Sequence, residues 1–264
     1  MVSSRLEHAT QLASAELTAK TILDIDDVVV RACFATADGD AEDAENVMHV
    51  PKTMAISPPM DASLLKSIRT LHKAVEWHDL SNALFMREVR LMVKKLRVEY
   101  PSFLPDGHHL DVARWCFAAY TSVMRSASPV RLITCAMGPE RTNQFAVVAS
   151  APIPGGVTVY EMLGLMAIND DCPHTNLSVM LPDPMQTGHQ GPRIMIGPLR
   201  FVNHICEGAN AEIIALQHTS AFYLRTLRAI EVGEEILVDY GKGYFDDEEC
   251  CPCAACSAHT SRSS

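Results

Sequence analysis

Nowhere in this chain do about 18 uncharged apolar residues run together, and residues 1–20 carry no basic stretch leading into a long apolar block. These two absences argue against a helical membrane span and a secretory leader. Positive charge is also scarce, with 22 Lys and Arg against 32 Asp and Glu and a formal net charge of −10. Such a balance does not favour a grip on a phosphate backbone, so direct sequence-specific binding of nucleic acid is not expected. A cationic protein or peptide is the better partner. Internal repeats and low-complexity tracts are missing as well.

What is present is enough apolar material, 48% of 264 residues, for one large domain or two small ones. Nine cysteines in a chain without a leader point to thiols and metal sites rather than disulfides. Cys33, Cys116, Cys135 and Cys172 are scattered, whereas Cys250, Cys251, Cys253 and Cys256 are bunched.

The texture changes once along the chain. Residues 4–36 carry Leu6, Leu12, Leu17, Ile22, Ile25, Val29 and Phe34 at helical spacing, which predicts one or two helices. A loop or linker rich in acid and proline follows at about 38–60. Asp61 then opens a helix bearing Leu64, Leu65, Ile68, Leu71 and Val75, and helices are predicted over 84–98 and 109–125, with His108-His109 in a loop. After Pro129 the pattern turns to short strands at 131–135, 145–149, 157–163, 194–196, 212–216, 222–226 and 236–238. Turns are expected at Pro154-Gly155-Gly156 and Val232-Gly233. The expectation is an α+β chain with a helical region at 1–126, a β-rich domain at 127–249 and a cysteine-bearing tail at 250–264. His72, His78, the pair His108-His109 and Cys172-Pro173-His174 lack a partner motif and are read as ordinary surface or core residues.

Two segments carry chemistry. The first runs Gly197-Pro198-Leu199-Arg200-Phe201-Val202-Asn203-His204-Ile205-Cys206, and the second runs Gly233-Glu234-Glu235-Ile236-Leu237-Val238-Asp239-Tyr240-Gly241. In this order they resemble the SET-domain family of protein lysine methyltransferases, whose signatures are Arg-Phe-x-Asn-His-x-Cys and Gly-Glu-Glu-x-x-x-x-Tyr-Gly. The resemblance extends upstream through Phe145, Ile153-Pro154-Gly155-Gly156, Tyr160-Glu161 and Gly164. Asn176-Leu177-Ser178-Val179-Met180, Gly197-Pro198 and the Cys-x-Cys-x-x-Cys tail are most similar to the branch that methylates lysine 20 of histone H4.

Cys251, Cys253 and Cys256 lie within six positions, too close for most pairwise disulfides but suited to wrapping one tetrahedral ion. Cys250 with Cys253 and Cys256 is an alternative set. The resemblance implies a zinc site completed by Cys206 and closing a post-SET tail. It also implies an S-adenosyl-L-methionine site at Asn143, Gln144, Phe145, Arg200, Phe201, Asn203, His204, Tyr240 and Phe245, with Tyr240 as the catalytic hydroxyl beside the transferred methyl. Asn203 and His204 read without the motif are a satisfied polar pair, and Tyr240 a half-buried core tyrosine.

The implied substrate is a basic protein, a histone tail by resemblance, and the implied location is nuclear, with the cytoplasm as the alternative. The alternatives are a methyltransferase for a non-histone protein and a catalytically silent fold that binds peptides. Two departures bear on this choice. The usual Cys-x-Pro-Asn is here Cys206-Glu207-Gly208-Ala209-Asn210, a longer loop without proline, and the opening strand begins Thr142-Asn143-Gln144 instead of Gly-x-Gly. No Gly-x-Gly-x-x-Gly follows a strand, which argues against a Rossmann-type methyltransferase.

Overall fold

The computed structural model describes residues 19–34, 66, 67, 70, 82–102, 104, 107–125, 127–137, 142–168, 193–216, 221–241, 251 and 253. The acidic and proline-rich stretch, His72, His78, Cys172-Pro173-His174, residues 176–180, Phe245, Cys250 and Cys256 lie outside them. Of the helix expected after Asp61, Lys66, Ser67 and Thr70 are described and helical.

Helix α1 (Ala19–Phe34) is buried on most of its circumference, through Leu23, Ile25, Val28, Val29, Val30 and Ala32. Three consecutive β-branched valines are poor intrinsic helix formers, so it is burial that holds this segment helical. Helix α2 (Asn82–Glu99) is one-sided: Phe85, Val89, Met92, Val93 and Leu96 recur at spacings of three and four and are buried, while Arg87, Arg90 and Lys94 are exposed. Helix α3 (His108–Val123) buries Trp115, Cys116, Phe117 and Tyr120. It begins at His108, so His108-His109 is its first turn and not a loop. It also stops two residues short of Arg125, because Met124 already caps it.

Among the described residues eight strands follow: β1 (Val130–Met137), β2 (Thr142–Ala149), β3 (Thr158–Ile168), β4 (Arg193–Ile196), β5 (Asn203–His204), β6 (Ala211–Ala215), β7 (Ala221–Thr226) and β8 (Leu237–Val238). Seven match the expected runs within a few residues. Strand β5 and the 3-10 turn Pro198–Phe201 before it were not expected, since elements of two to four residues carry no periodicity. β1 and β2 form an antiparallel hairpin, and the other six strands are ordered β4-β3-β7-β6-β8-β5. The pairings β5–β8 and β6–β8 are parallel. Side chains from α1, α2, α3 and both sheets form one continuous buried cluster.

Gly197 begins the 3-10 turn at a φ of 87°, a conformation glycine adopts without steric cost. A Cβ there would lie 2.7 Å from the Trp115 ring and 2.9 Å from the Leu163 carbonyl. Gly197→Ala is therefore expected to destabilise the protein by about 2 kcal/mol or more, through clash and left-handed strain together. Chemical denaturation of both proteins measures this.

Candidate active site and metal centre

The chain leaves the 3-10 turn through Val202, passes along β5 and reaches Cys206. β8 runs parallel beside it with Asn203 opposite Leu237 and His204 opposite Val238. That register carries Tyr240, two residues past the end of β8, back alongside His204. The Tyr240 hydroxyl donates to the Val202 carbonyl at 2.6 Å. Its backbone N–H donates to His204 Nδ1 at 3.0 Å, and the two rings lie 5.0 Å apart. Burial lowers the His204 pKa, opposed by the Asp239 carboxylate 3.8 Å away and by the Val238 carbonyl. The two segments singled out in the sequence thus meet, and each orients the other.

Asn203 directs its amide N–H groups at the Phe145 carbonyl, 3.1 Å, and at Glu235 Oε1, 2.8 Å. It ties β2 to the turn entering β8, so its side chain has a structural role whatever else it contacts. Phe145 and Phe201 are buried and pack edge to face at 4.6 Å. Asn143 and Gln144 lie in β2, in register with Ala136 and Cys135. Asn210 closes the lengthened loop: its amide donates to Glu234 Oε1 and the Glu235 carbonyl and accepts the Leu237 N–H. The loop is therefore anchored where its sequence suggested slack, and Gly208 absorbs the extra residue at a φ of 82°.

Arg200 is placed differently from the rest. Its side chain is fully buried and faces α1, pairing with Asp26 and, at 3.0 Å, with Asp27. Asp26 also accepts from the Tyr120 hydroxyl at 2.8 Å and the Gly197 N–H at 3.1 Å. The guanidinium plane lies over Phe201 at 4.8 Å. Burial alone would lower the Arg200 pKa, but Asp26, Tyr120 and Asp27 raise it, and the group is held charged. Asp27 shifts upward, chiefly by burial. This guanidinium clamps α1 to the turn that leads into the site.

At the far end of β5, Cys206 Sγ lies 3.6 Å from Cys251 Sγ and 3.1 Å from His204 Nε2. The Cys253 N–H reaches Cys251 Sγ at 3.5 Å. Among the described residues, the donor atoms of His204, Cys206, Cys251 and Cys253 all lie within 4.8 Å of one another. Three thiols and an imidazole at this separation suit zinc, a borderline-soft ion taking four N or S ligands in a tetrahedron. Cys251 is among the converging donors, and Cys250 and Cys256 lie outside the described residues.

Sequence reasoning missed three groups. Val202 acts through its carbonyl, which leaves no trace in residue type. Glu235 was read as part of a motif and is also the acceptor for Asn203. Asp26 and Asp27 did leave a signal, two acids flanked by Ile25 and Val28 in an apolar helical pattern, which marks a buried pair awaiting a cation.

Residues 34–241 match the family model described as SET domain. A histone-lysine N-methyltransferase set9 of Emericella nidulans is 26% identical over 190 residues, covering 70% of this chain and 29% of that protein. A histone-lysine N-methyltransferase SET9 of Gibberella zeae is 42% identical over 64 residues, 24% of this chain and 9% of that protein. The chain thus spans less than a third of the length of these curated relatives. The solved Neurospora SET domain protein DIM-5, a histone lysine methyltransferase, aligns over 48% of this chain and 57% of that one, at 18% identity and a TM-score of 0.31.

Proposed function

The chain belongs to the SET-domain family, and from that premise we propose that it is an S-adenosyl-L-methionine-dependent protein lysine N-methyltransferase acting on a histone tail. The observation that carries this reading is the convergence of the Tyr240 hydroxyl and the Val202 carbonyl, 2.6 Å apart, at the junction of the two family segments. A hydroxyl and a carbonyl oxygen together suit a polarised methyl group and an incoming amine, so the donor set fits the cofactor. The cofactor, when bound, supplies the activated methyl; the chain supplies alignment and exclusion of water. A free lysine has a pKa of about 10.4 and is almost wholly protonated at neutral pH. A narrow desolvated channel favours the neutral amine. Tyr240 and Val202 need then only orient that amine, and no strong general base is required. Asn203, through Phe145 and Glu235, holds the walls in register.

The finer reading is lysine 20 of histone H4, supported by the resemblance of Gly197-Pro198, residues 176–180 and the cysteine tail to that branch. We place the division between supporting helices and catalytic domain near residue 126, and the location in the nucleus. Labelled S-adenosylmethionine offered to histones and peptide arrays tests the proposal. The expected result is label on an H4 peptide that disappears when its lysine 20 is replaced by arginine. Label confined to non-histone proteins would move the substrate. Peptide binding without transfer to any basic protein would leave a scaffold.

The tail is part of the same proposal. With Cys206, Cys251, Cys253 and Cys256 as ligands, purified protein should carry about one equivalent of zinc. Cys206→Ser and Cys253→Ser should each lower the melting temperature and weaken cofactor binding, because metal binding and folding of the tail are one event. Metal-free protein with full activity would refute this.

A further inference from the structure

We propose that Asp26 is a positioning residue for the methyl-transfer site: its carboxylate, delivered by α1, fixes the turn that presents the Val202 carbonyl to the Tyr240 hydroxyl. The proposal rests on the role given to Tyr240 above and deepens it. The residues matched to the family run from 34 to 241, whereas α1 spans Ala19–Phe34, so this carboxylate comes from outside them. Asp26 is fully buried, and both of its oxygens are engaged. Oδ1 accepts the Gly197 N–H at 3.1 Å, and Oδ2 accepts from Arg200 Nη1. The Tyr120 hydroxyl bridges the two, 2.8 Å from Oδ1 and 2.9 Å from Oδ2.

Gly197 caps the 3-10 turn and Arg200 lies within it, so one carboxylate holds the turn by a backbone group at its start and by a side chain near its end. Within the turn the Arg200 N–H donates to the Gly197 carbonyl at 3.1 Å, and the Val202 N–H donates to the Leu199 carbonyl at 3.2 Å. The direction of the Val202 carbonyl therefore follows from where the two anchors sit. Leu199 and Phe201 are buried as well, but apolar burial is non-directional and would keep the turn inside without fixing its rotation. Hydrogen bonds to a carboxylate are both strong and directional. Methyl transfer is sensitive to such a fixing, because a misplacement of about 1 Å caused far from the chemistry can cost about 100-fold in rate.

Two double-mutant cycles on the full-length chain separate positioning from mere support. Asp26→Asn keeps the shape of the side chain but replaces one of the two acceptor oxygens with a donor, so one anchor of the turn is lost. Turnover at saturating peptide and cofactor should fall about fivefold or more with KM nearly unchanged. Added to Tyr240→Phe, the same change should lower turnover little further, because the carbonyl then has no hydroxyl to meet; independent effects would multiply. Melting temperature gives a second cycle that needs no activity. Tyr240→Phe should lower it by about 2 to 4 °C in the wild type and by less than about 1 °C in the Asp26→Asn background. Where Asp26→Asn fails to fold, Tyr120→Phe takes its place, since it removes the hydroxyl that bridges the two oxygens; smaller single effects and the same non-additivity are expected. Additive effects in either cycle would overturn the proposal and leave Asp26 a counter-charge for Arg200 alone. A wild type that transfers no methyl group to any basic protein would instead remove the methyltransferase reading, and the melting cycle would still decide whether Asp26 places the carbonyl.

Discussion

Replacing Tyr240 with phenylalanine is expected to lower turnover at least tenfold while leaving cofactor affinity nearly unchanged. Tenfold corresponds to about 1.4 kcal/mol of transition-state stabilisation. One oxygen is removed and the packing against the core is kept. Stability should fall only by the loss of the bond to the Val202 carbonyl, about 1 kcal/mol for a partly buried hydroxyl. The comparison of the two quantities makes the test. A tyrosine serving only the core would lose that stability and keep its rate, whereas a scaffold would show no transfer in the wild type. Single-turnover methylation and thermal melting of the same two preparations separate the three cases.

Asp26→Ala is expected to produce the largest loss of stability of any single change considered, about 3 to 5 kcal/mol. Asp26 is fully buried, and its removal leaves the Arg200 guanidinium underpaired in the interior while the Tyr120 hydroxyl and the Gly197 N–H lose an acceptor. A guanidinium stays protonated in proteins, so the variant must unfold, hydrate or rearrange around the charge. Asp27→Asn is the control. Burial pushes the Asp27 carboxyl upward, so the folded state holds its proton more tightly than the unfolded chain. Its contribution therefore favours folding at low pH and is lost as pH rises through the folded value. An asparagine oxygen can still accept from Arg200, and the change should cost less than about 1 kcal/mol. Denaturant titration at neutral pH should rank Asp26→Ala far below Asp27→Asn. Equal losses would mean that the two carboxylates share the charge.

Both results bear on the site through the same route. Arg200 opens the segment that continues through Phe201 and Val202 to Asn203, so an α1 that lets go of the guanidinium also lets go of the carbonyl that receives Tyr240. A loosened Asp26 variant that still folds is expected to lose activity beyond its loss of stability.

By itself the sequence determined which two segments carry the family motifs and the type of most of the elements. The two motifs of residues 197–206 and 233–241, the strands with alternating or β-branched runs and the one-sided helix at Asn82–Glu99 were legible, because residue type and spacing encode them directly. Chemistry carried by side chains was legible for the same reason, as in the Cys251 and Cys253 thiols and the Tyr240 hydroxyl. Only the tertiary structure decided what these groups face. The two-residue strand β5 exists because β8 lies beside it, and no local pattern announces a parallel pairing between segments so far apart in the chain. Arg200 sits inside a family motif, yet its guanidinium turns to α1, where two acids more than 170 residues earlier are buried with it. Val202 contributes a backbone carbonyl, present in every residue. Which nitrogen of His204 is bare depends on a peptide plane 36 positions away. Pairings of this kind are set by desolvation and by the direction of individual donors, quantities that come into being when the chain has closed on itself.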